Sequence, residues 1–226
     1  MNSVLGKISS IFEYVRNEAG KPTGATQDIL SSELKTKLDA GMAARVTAKV
    51  DGTCCWIHEG ALMARLDFKH GRKPVDGWIN TGGEEDAGGH IIGFRPLADQ
   101  DKYHKAALRP DGKALFIEQN EEGDLQYVER PLAEFEGKTV ELIGPKVNGN
   151  KHGLAQNALI VHGEINLQQD GMDWCSHTGI LNWFRTDGAL YEGVVVHMAD
   201  GSCYKVHRGH VAYDGEWRPW PVKTAV

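Results

Sequence analysis

No run of apolar residues in this 226-residue chain approaches the ~18 needed to cross a bilayer, so a transmembrane helix is not expected. The opening stretch, Met1 to Tyr14, lacks a long apolar core and a small-residue cleavage site, so no secretory signal is read there. The expectation from both is an intracellular, cytoplasmic protein with no membrane partner. Cysteine is scarce as well. Cys54, Cys55, Cys175 and Cys203 show neither zinc-knuckle spacing nor an easy pairing of the adjacent two, and read as reduced thiols. Positive charge is in deficit: 25 Lys and Arg against 31 Asp and Glu give a net charge of −6. A broad basic surface for nucleic acid is thereby excluded. Any such contact must come from local clusters, of which there are two, Lys69 to Lys73 and Lys205 to His210.

Several motifs are missing too. There is no G-x-G-x-x-G after a strand and no H-E-x-x-H. The segment Gly144 to Lys151 approaches a P-loop, but Asn150 stands where the lysine belongs and no Ser or Thr follows it, so it reads as a turn. The ten histidines show no metal-ligand spacing.

What is present is alternation of period two. Residues 45–57, 114–119, 124–129, 139–143, 158–166, 192–198 and 202–207 read as strands, with Glu121 to Asp124 as a hairpin turn. Helices are expected only at 31–40, with Gly41 as its stop, at 177–184, and as a short turn at 131–135. Asp76 to Gly89, rich in glycine and acid, reads as a loop or lid. Many strands and few helices predict an α+β fold of antiparallel sheets packed around one cleft, in a single domain over 1–226 with no separate C-terminal domain.

The chemistry begins at Lys49-Val50-Asp51-Gly52. Residues two apart on a strand share a face, so Lys49 and Asp51 point together while Val46, Ala48 and Val50 point to the core. Gly52 permits a bend or a close approach. A lysine facing a cleft becomes nucleophilic when desolvation or a nearby cation lowers its pKa. By itself K-x-D-G occurs by chance in roughly one of twenty chains of this length. Three further segments strengthen it. Glu141 lies in the apolar Val140 to Gly144, Glu192-Gly193 precedes a valine run, and Tyr204 to Arg208 sets cations at period two.

In this order, the four segments resemble the motifs shared by ATP-dependent ligases and mRNA capping enzymes. The strings KVDGTCCW, ARLD, ELIG-x-x-x-NGN, SHTGILNWF and KVHRGH resemble more closely the small ATP-dependent 5′-3′ RNA ligases of animals, over about residues 45–220. The resemblance implies a nucleotidyltransferase (adenylation) domain with an ATP cleft. Lys49 would attack the α-phosphorus of ATP and become lysyl-AMP. RNA carrying a 5′-phosphate would take the AMP, and a 3′-hydroxyl would displace it, a chemistry of RNA repair. Lys205 would act on the α-phosphate. Asp51, Glu141 and Glu192 would hold Mg²⁺ or Mn²⁺ through water. Glu141 would also bind a ribose hydroxyl, His162 would stack on adenine, and Arg65 would contact ribose or the RNA 5′-phosphate. His207 stands where the family commonly has a second lysine, so its phosphate contact would titrate near pH 6.5. Lys69, Arg72 and Arg208 complete the expected RNA path. A guanylyltransferase, a DNA nick ligase and an inactive RNA-end-binding module are the competing readings.

Overall fold

The computed structural model describes residues 8–69, 71, 73–81, 89–167 and 172–224. The backbone forms two compact units. The large one holds Asp51–Glu164 and Pro219–Val226, and the small one Ile8–Val50 and Ile165–Arg218. The fold is α+β with few helices and mostly antiparallel sheets, as the alternation predicts. No helix among the described residues is long and apolar enough to cross a membrane.

The large unit is built on a nine-stranded sheet. Its order is Lys223–Thr224, Leu125–Pro131, Lys113–Gln119, Ala158–Val161, Thr139–Ile143, Thr53–His58, Ala61–Arg65, Gly93–Pro96 and Ile79–Asn80. Period-two alternation gives it two different faces. One face sends Cys55, Ile57, Leu62, Phe116, Val140, Leu142, Leu159 and Val161 into an apolar cluster. The opposite face carries Cys54 and Trp56, which pack near Met63, Ile92 and Phe94. Glu141 lies on this second face, because it pairs directly with Cys54 on one side and Ile160 on the other.

The small unit centres on a four-stranded sheet in the order Ser9–Ser10, Cys203–His207, Gly193–Met198, Ala44–Lys49. A hairpin of Phe12–Arg16 and Pro22–Leu30 and the helices Ser32–Asp39 and His177–Arg185 accompany it. The second helix is capped by Ser176, whose side chain accepts from the Gly179 amide. Gly179 cannot take a Cβ, since the Asp173 carbonyl would lie 2.0 Å from it.

Several boundaries differ from the sequence reading. The single strand expected over 45–57 is two, because the chain leaves the small unit after Val50 and enters the large one at Asp51. At the break, a Cβ on Gly52 would lie 2.3 Å from the Leu142 carbonyl, so only glycine fits. The strand expected over 158–166 stops at Val161. Asn166 instead bridges to Thr47 in the small unit. The helix Lys102–Ala107 and the hairpin 12–30 were not expected at all. Of the expected lid, Ile79–Asn80 is a sheet edge, while 82–88 lie outside the described residues.

Candidate active site

The small unit supplies the expected nucleophile. Lys49 ends its strand, and Glu192 immediately precedes the neighbouring one, so the Glu192 amide donates to the Lys49 carbonyl at 3.0 Å. Their side chains form an ion pair of 2.5 Å, with both groups about three-quarters shielded from water. The pairing register places Gly193 between Lys49 and His207 across three strands. A Cβ there would meet the Val206 carbonyl at 2.0 Å. The glycine of Glu192-Gly193 therefore allows the strands to close, and the closure brings Glu192 to Lys49. Lys205 lies on the same sheet, paired with Val195.

His207 does not titrate where the sequence reading put it. Burial, with Lys49 and Lys205 adding their charge, pushes its pKa down to about 4. It is a neutral ring at neutral pH, its centroid 3.6 Å from that of the tilted His210 ring. His210 is driven further, to about 3, by burial first and then by His207, Lys205 and Lys49. The group is thus two lysines, one of them ion-paired with Glu192, beside two neutral imidazoles.

Arg208 corrects another expectation. It is buried, and its guanidinium donates to the carbonyls of Ala189, Tyr191, Gly215 and Glu216. The rings of Phe184, Tyr213 and Trp217 surround it at 4.2–5.2 Å. A side chain held this way ties segment 213–218 to the unit and is not a contact for RNA. Period-two facing on the strand gave it the opposite direction from Lys205 and His207, the one sequence signal of this inward turn.

In the large unit, Asp51 is held by a residue that the sequence reading left in a turn. Asn148 donates from Nδ2 to Asp51 Oδ1 at 2.9 Å and to the Gly52 carbonyl at 2.7 Å. The Asp51 amide donates to His152 Nε2 at 3.1 Å. Glu141 is mostly shielded, and its Oε2 lies 2.8 Å from His162 Nε2. His162 Nδ1 lies 2.9 Å from Thr139 Oγ1, so the ring expected to stack on adenine is oriented at both nitrogens. Among the described residues, Cys54, Glu141 and His162 offer ligand atoms within 4.8 Å of one another. Cys54 adjoins Glu141 by strand register, and burial, followed by the Glu141 charge, raises its thiol to about 12.

Arg65 meets Asp67 through two hydrogen bonds of 2.7 and 2.8 Å. Asp67 closes the quoted Ala-Arg-Leu-Asp string but was given no role from sequence. Lys69 is exposed on the short strand Phe68–Lys69, and Arg72 lies outside the described residues. Within single units, then, Lys49 meets Glu192, and Glu141 meets His162. Of the three expected metal carboxylates, Asp51 and Glu141 belong to the large unit and Glu192 to the small one.

Comparison with known proteins gives a consistent picture. A family model described as RNA ligase 1 matches residues 77–225. RNA ligase 1 of Danio rerio is 28% identical, over 98% of this chain and 84% of its own length. RNA ligase 1 of Rattus norvegicus is 29% identical, over 93% and 82%. That of Pongo abelii is 28% identical, over 82% and 71%.

Proposed function

The chain belongs to the RNA ligase 1 family, and from that premise we propose that it is an ATP-dependent ligase joining RNA 5′-phosphate and 3′-hydroxyl ends through lysyl-AMP on Lys49. The observation that carries the reading is the shielded Lys49–Glu192 pair at 2.5 Å, set where one strand ends and just before its neighbour begins. The amine of Lys49 attacks the α-phosphorus, a P–N bond forms, and the P–O bond to pyrophosphate breaks. Glu192, already against Nζ, is placed to take the amine proton. Lys205 offsets charge gathering on the α-phosphate. His207 contributes as a neutral hydrogen-bonding ring, in keeping with its depressed pKa. The AMP then passes to the RNA 5′-phosphate, and the 3′-hydroxyl expels it. Arg65 and Lys69 serve the RNA phosphate.

Asp51, Glu141 and Glu192 offer only oxygen donors, which suits a hard cation such as Mg²⁺ or Mn²⁺. Held by any of these carboxylates, the ion would supply charge neutralisation for the triphosphate. Asn148 orients Asp51 and His162 orients Glu141, so both carboxylates of the large unit are set in place by neighbours.

The test is incubation with ATP and Mg²⁺ followed by mass spectrometry. An acid-labile, base-stable AMP adduct on Lys49 is expected, and it should be absent from Lys49→Ala. Absence of any adduct, or its location elsewhere, would defeat the reading. Efficient sealing of a nicked all-DNA duplex would defeat the RNA assignment.

A further inference from the structure

We propose that Cys54, Glu141 and His162 form a binding site for a borderline divalent cation, zinc above all, whose occupation excludes the nucleotide. Three adjacent strands of the large unit create it. Cys54 and Glu141 are direct partners on Thr53–His58 and Thr139–Ile143, and His162 follows Ala158–Val161 directly. All three side chains stand on one face of a rigid sheet. Their ligand atoms already lie within 4.8 Å of one another, and Glu141 Oε2 and His162 Nε2 are 2.8 Å apart. Zinc–donor distances of roughly 2.0–2.3 Å in a tetrahedral shell put ligand atoms about 3.3–3.6 Å apart. Small side-chain adjustments suffice.

The donor set selects the ion. Thiolate sulfur and imidazole nitrogen favour zinc over the hard cations, which prefer oxygen alone. A metal-bound imidazole ordinarily donates its second N–H to a fixed acceptor, and Thr139 Oγ1 stands 2.9 Å from Nδ1 for that purpose. The His162 side chain is 41% exposed, which leaves an open side for entry and for a water as fourth ligand. Asp67, paired to Arg65, balances the one guanidinium that bears on the Cys54 sulfur.

Binding is balanced by one proton. The Cys54 S–H bond breaks, the sulfur–metal bond forms, and the proton leaves to solvent. The imidazole proton moves from Nε2, where it meets Glu141, to Nδ1, where it meets Thr139. Exclusion of the nucleotide rests on the proposed role of Glu141 toward the ATP ribose, since the carboxylate would not serve both.

Cobalt(II), a spectroscopic stand-in for zinc, tests this on the full chain. One ion per chain is expected, with a sulfur-to-cobalt charge-transfer band in the near ultraviolet. The band should vanish in Cys54→Ser and persist in Cys175→Ser and Cys203→Ser. The last control matters because the Cys203 sulfur lies 3.4 Å from His197 Nδ1. Zinc affinity, measured by competition with a chromophoric chelator, should fall about 10-fold or more in His162→Ala. That second variant changes an exposed side chain and keeps the test valid should Cys54→Ser fold poorly. ATP should displace the cobalt. No band, a band that survives Cys54→Ser, or unaltered affinity in His162→Ala overturns the site. A band that saturating ATP leaves untouched overturns the exclusion. An AMP adduct formed on Lys49 when the same protein, freed of cobalt and zinc, is given ATP and Mg²⁺ keeps that failure separate from failure of the ligase reading.

Discussion

The large unit buries Asp101 against its own cation, whereas in the small unit Arg208 is buried among backbone carbonyls and aromatic rings. Asp101 lies under two hydrogen bonds of 2.6 and 2.9 Å from Arg95, which hold its carboxyl below the usual range. Arg208 is met by carbonyls and aromatic faces, and His197, His207 and His210 of the same unit are all driven towards the neutral form, chiefly by burial. The first arrangement neutralises charge by pairing. The second surrounds the cation with dipoles and rings, and the neutral His207 and His210 add no charge beside the Lys49–Glu192 pair. The first fixes a charge by its partner and the second by surrounding dipoles, so the two units should answer differently to the loss of one charged side chain.

The sharpest way to break this comparison is to remove one carboxylate from each unit. Glu192→Ala and Glu141→Ala should each lower AMP transfer to Lys49 by about 10²-fold, the usual scale for a lost electrostatic contact in the transition state. Adduct formation under single-turnover conditions reads the effect. Near-wild-type rates for Glu192→Ala would mean that the 2.5 Å pair is a resting salt bridge with no part in the chemistry.

Next in size is Arg208→Ala. Four carbonyls lose their donor and three rings lose the cation between them, which should cost about 3–5 kcal/mol. Arg208→Lys should rescue little, since an ammonium cannot reproduce the planar fork. Urea unfolding checks both variants. A loss below about 1 kcal/mol would show that the residue is peripheral, which the carbonyl pattern argues against.

How these two units were legible in the sequence differs in kind. Lys49, Glu192 and Lys205 were singled out because charged residues in apolar strands, each weak as a signal alone, resemble ligase motifs in their order, and the structure brings Lys49 and Glu192 together. The strands of the central sheets were visible for the same reason. Asn148 and Asp67 were not given roles, although both sit in quoted strings, because their partners are decided by tertiary approach. Arg208 and His207 were misjudged on burial. Their neighbours on strand and loop, such as Trp217 and His210, are fixed by packing, and a lone strand pattern says nothing of what covers it. The strand over 45–57 was overrun because alternation continues through Val50 to Gly52, while the change of unit there has no compositional mark.

Acid should separate the units. His197 and His207 are lowered to about 4 and His210 to about 3, all below the ~6.5 of an unfolded chain. Below that value the unfolded state takes up protons first. The stabilisation is therefore complete above about pH 6.5 and is lost as pH falls towards 4. Between pH 6.5 and 5 few carboxylates titrate, so histidines dominate there. His104 of the large unit is lowered too, by burial. Hydrogen exchange at pH 6.5 and 5, corrected for intrinsic rates, should show the 193–207 strands losing protection more than 113–119 and 139–143. Equal losses would mean that the buried histidines of the small unit do not set its acid response.

The smallest effect concerns Asn148, and it probes the large unit where pairing is made through an amide. Asn148 sits at φ +44° with its side chain donating to Asp51 and to the Gly52 carbonyl. Two costs are combined at this position and can be separated. Asn148→Gly keeps the left-handed backbone available and deletes only the hydrogen bonds, for about 0.5–1.5 kcal/mol. Asn148→Ala deletes the same bonds and adds left-handed strain of about 1–2 kcal/mol. Urea midpoints should therefore rank wild type above Gly and Gly above Ala. AMP transfer should behave otherwise. Both variants release Asp51 from the same anchor, so both should slow the reaction by a similar factor, despite unequal stability. Rates that track stability would show that Asn148 serves only the turn, and a rate unchanged in Asn148→Gly would free Asp51 from any need to be held.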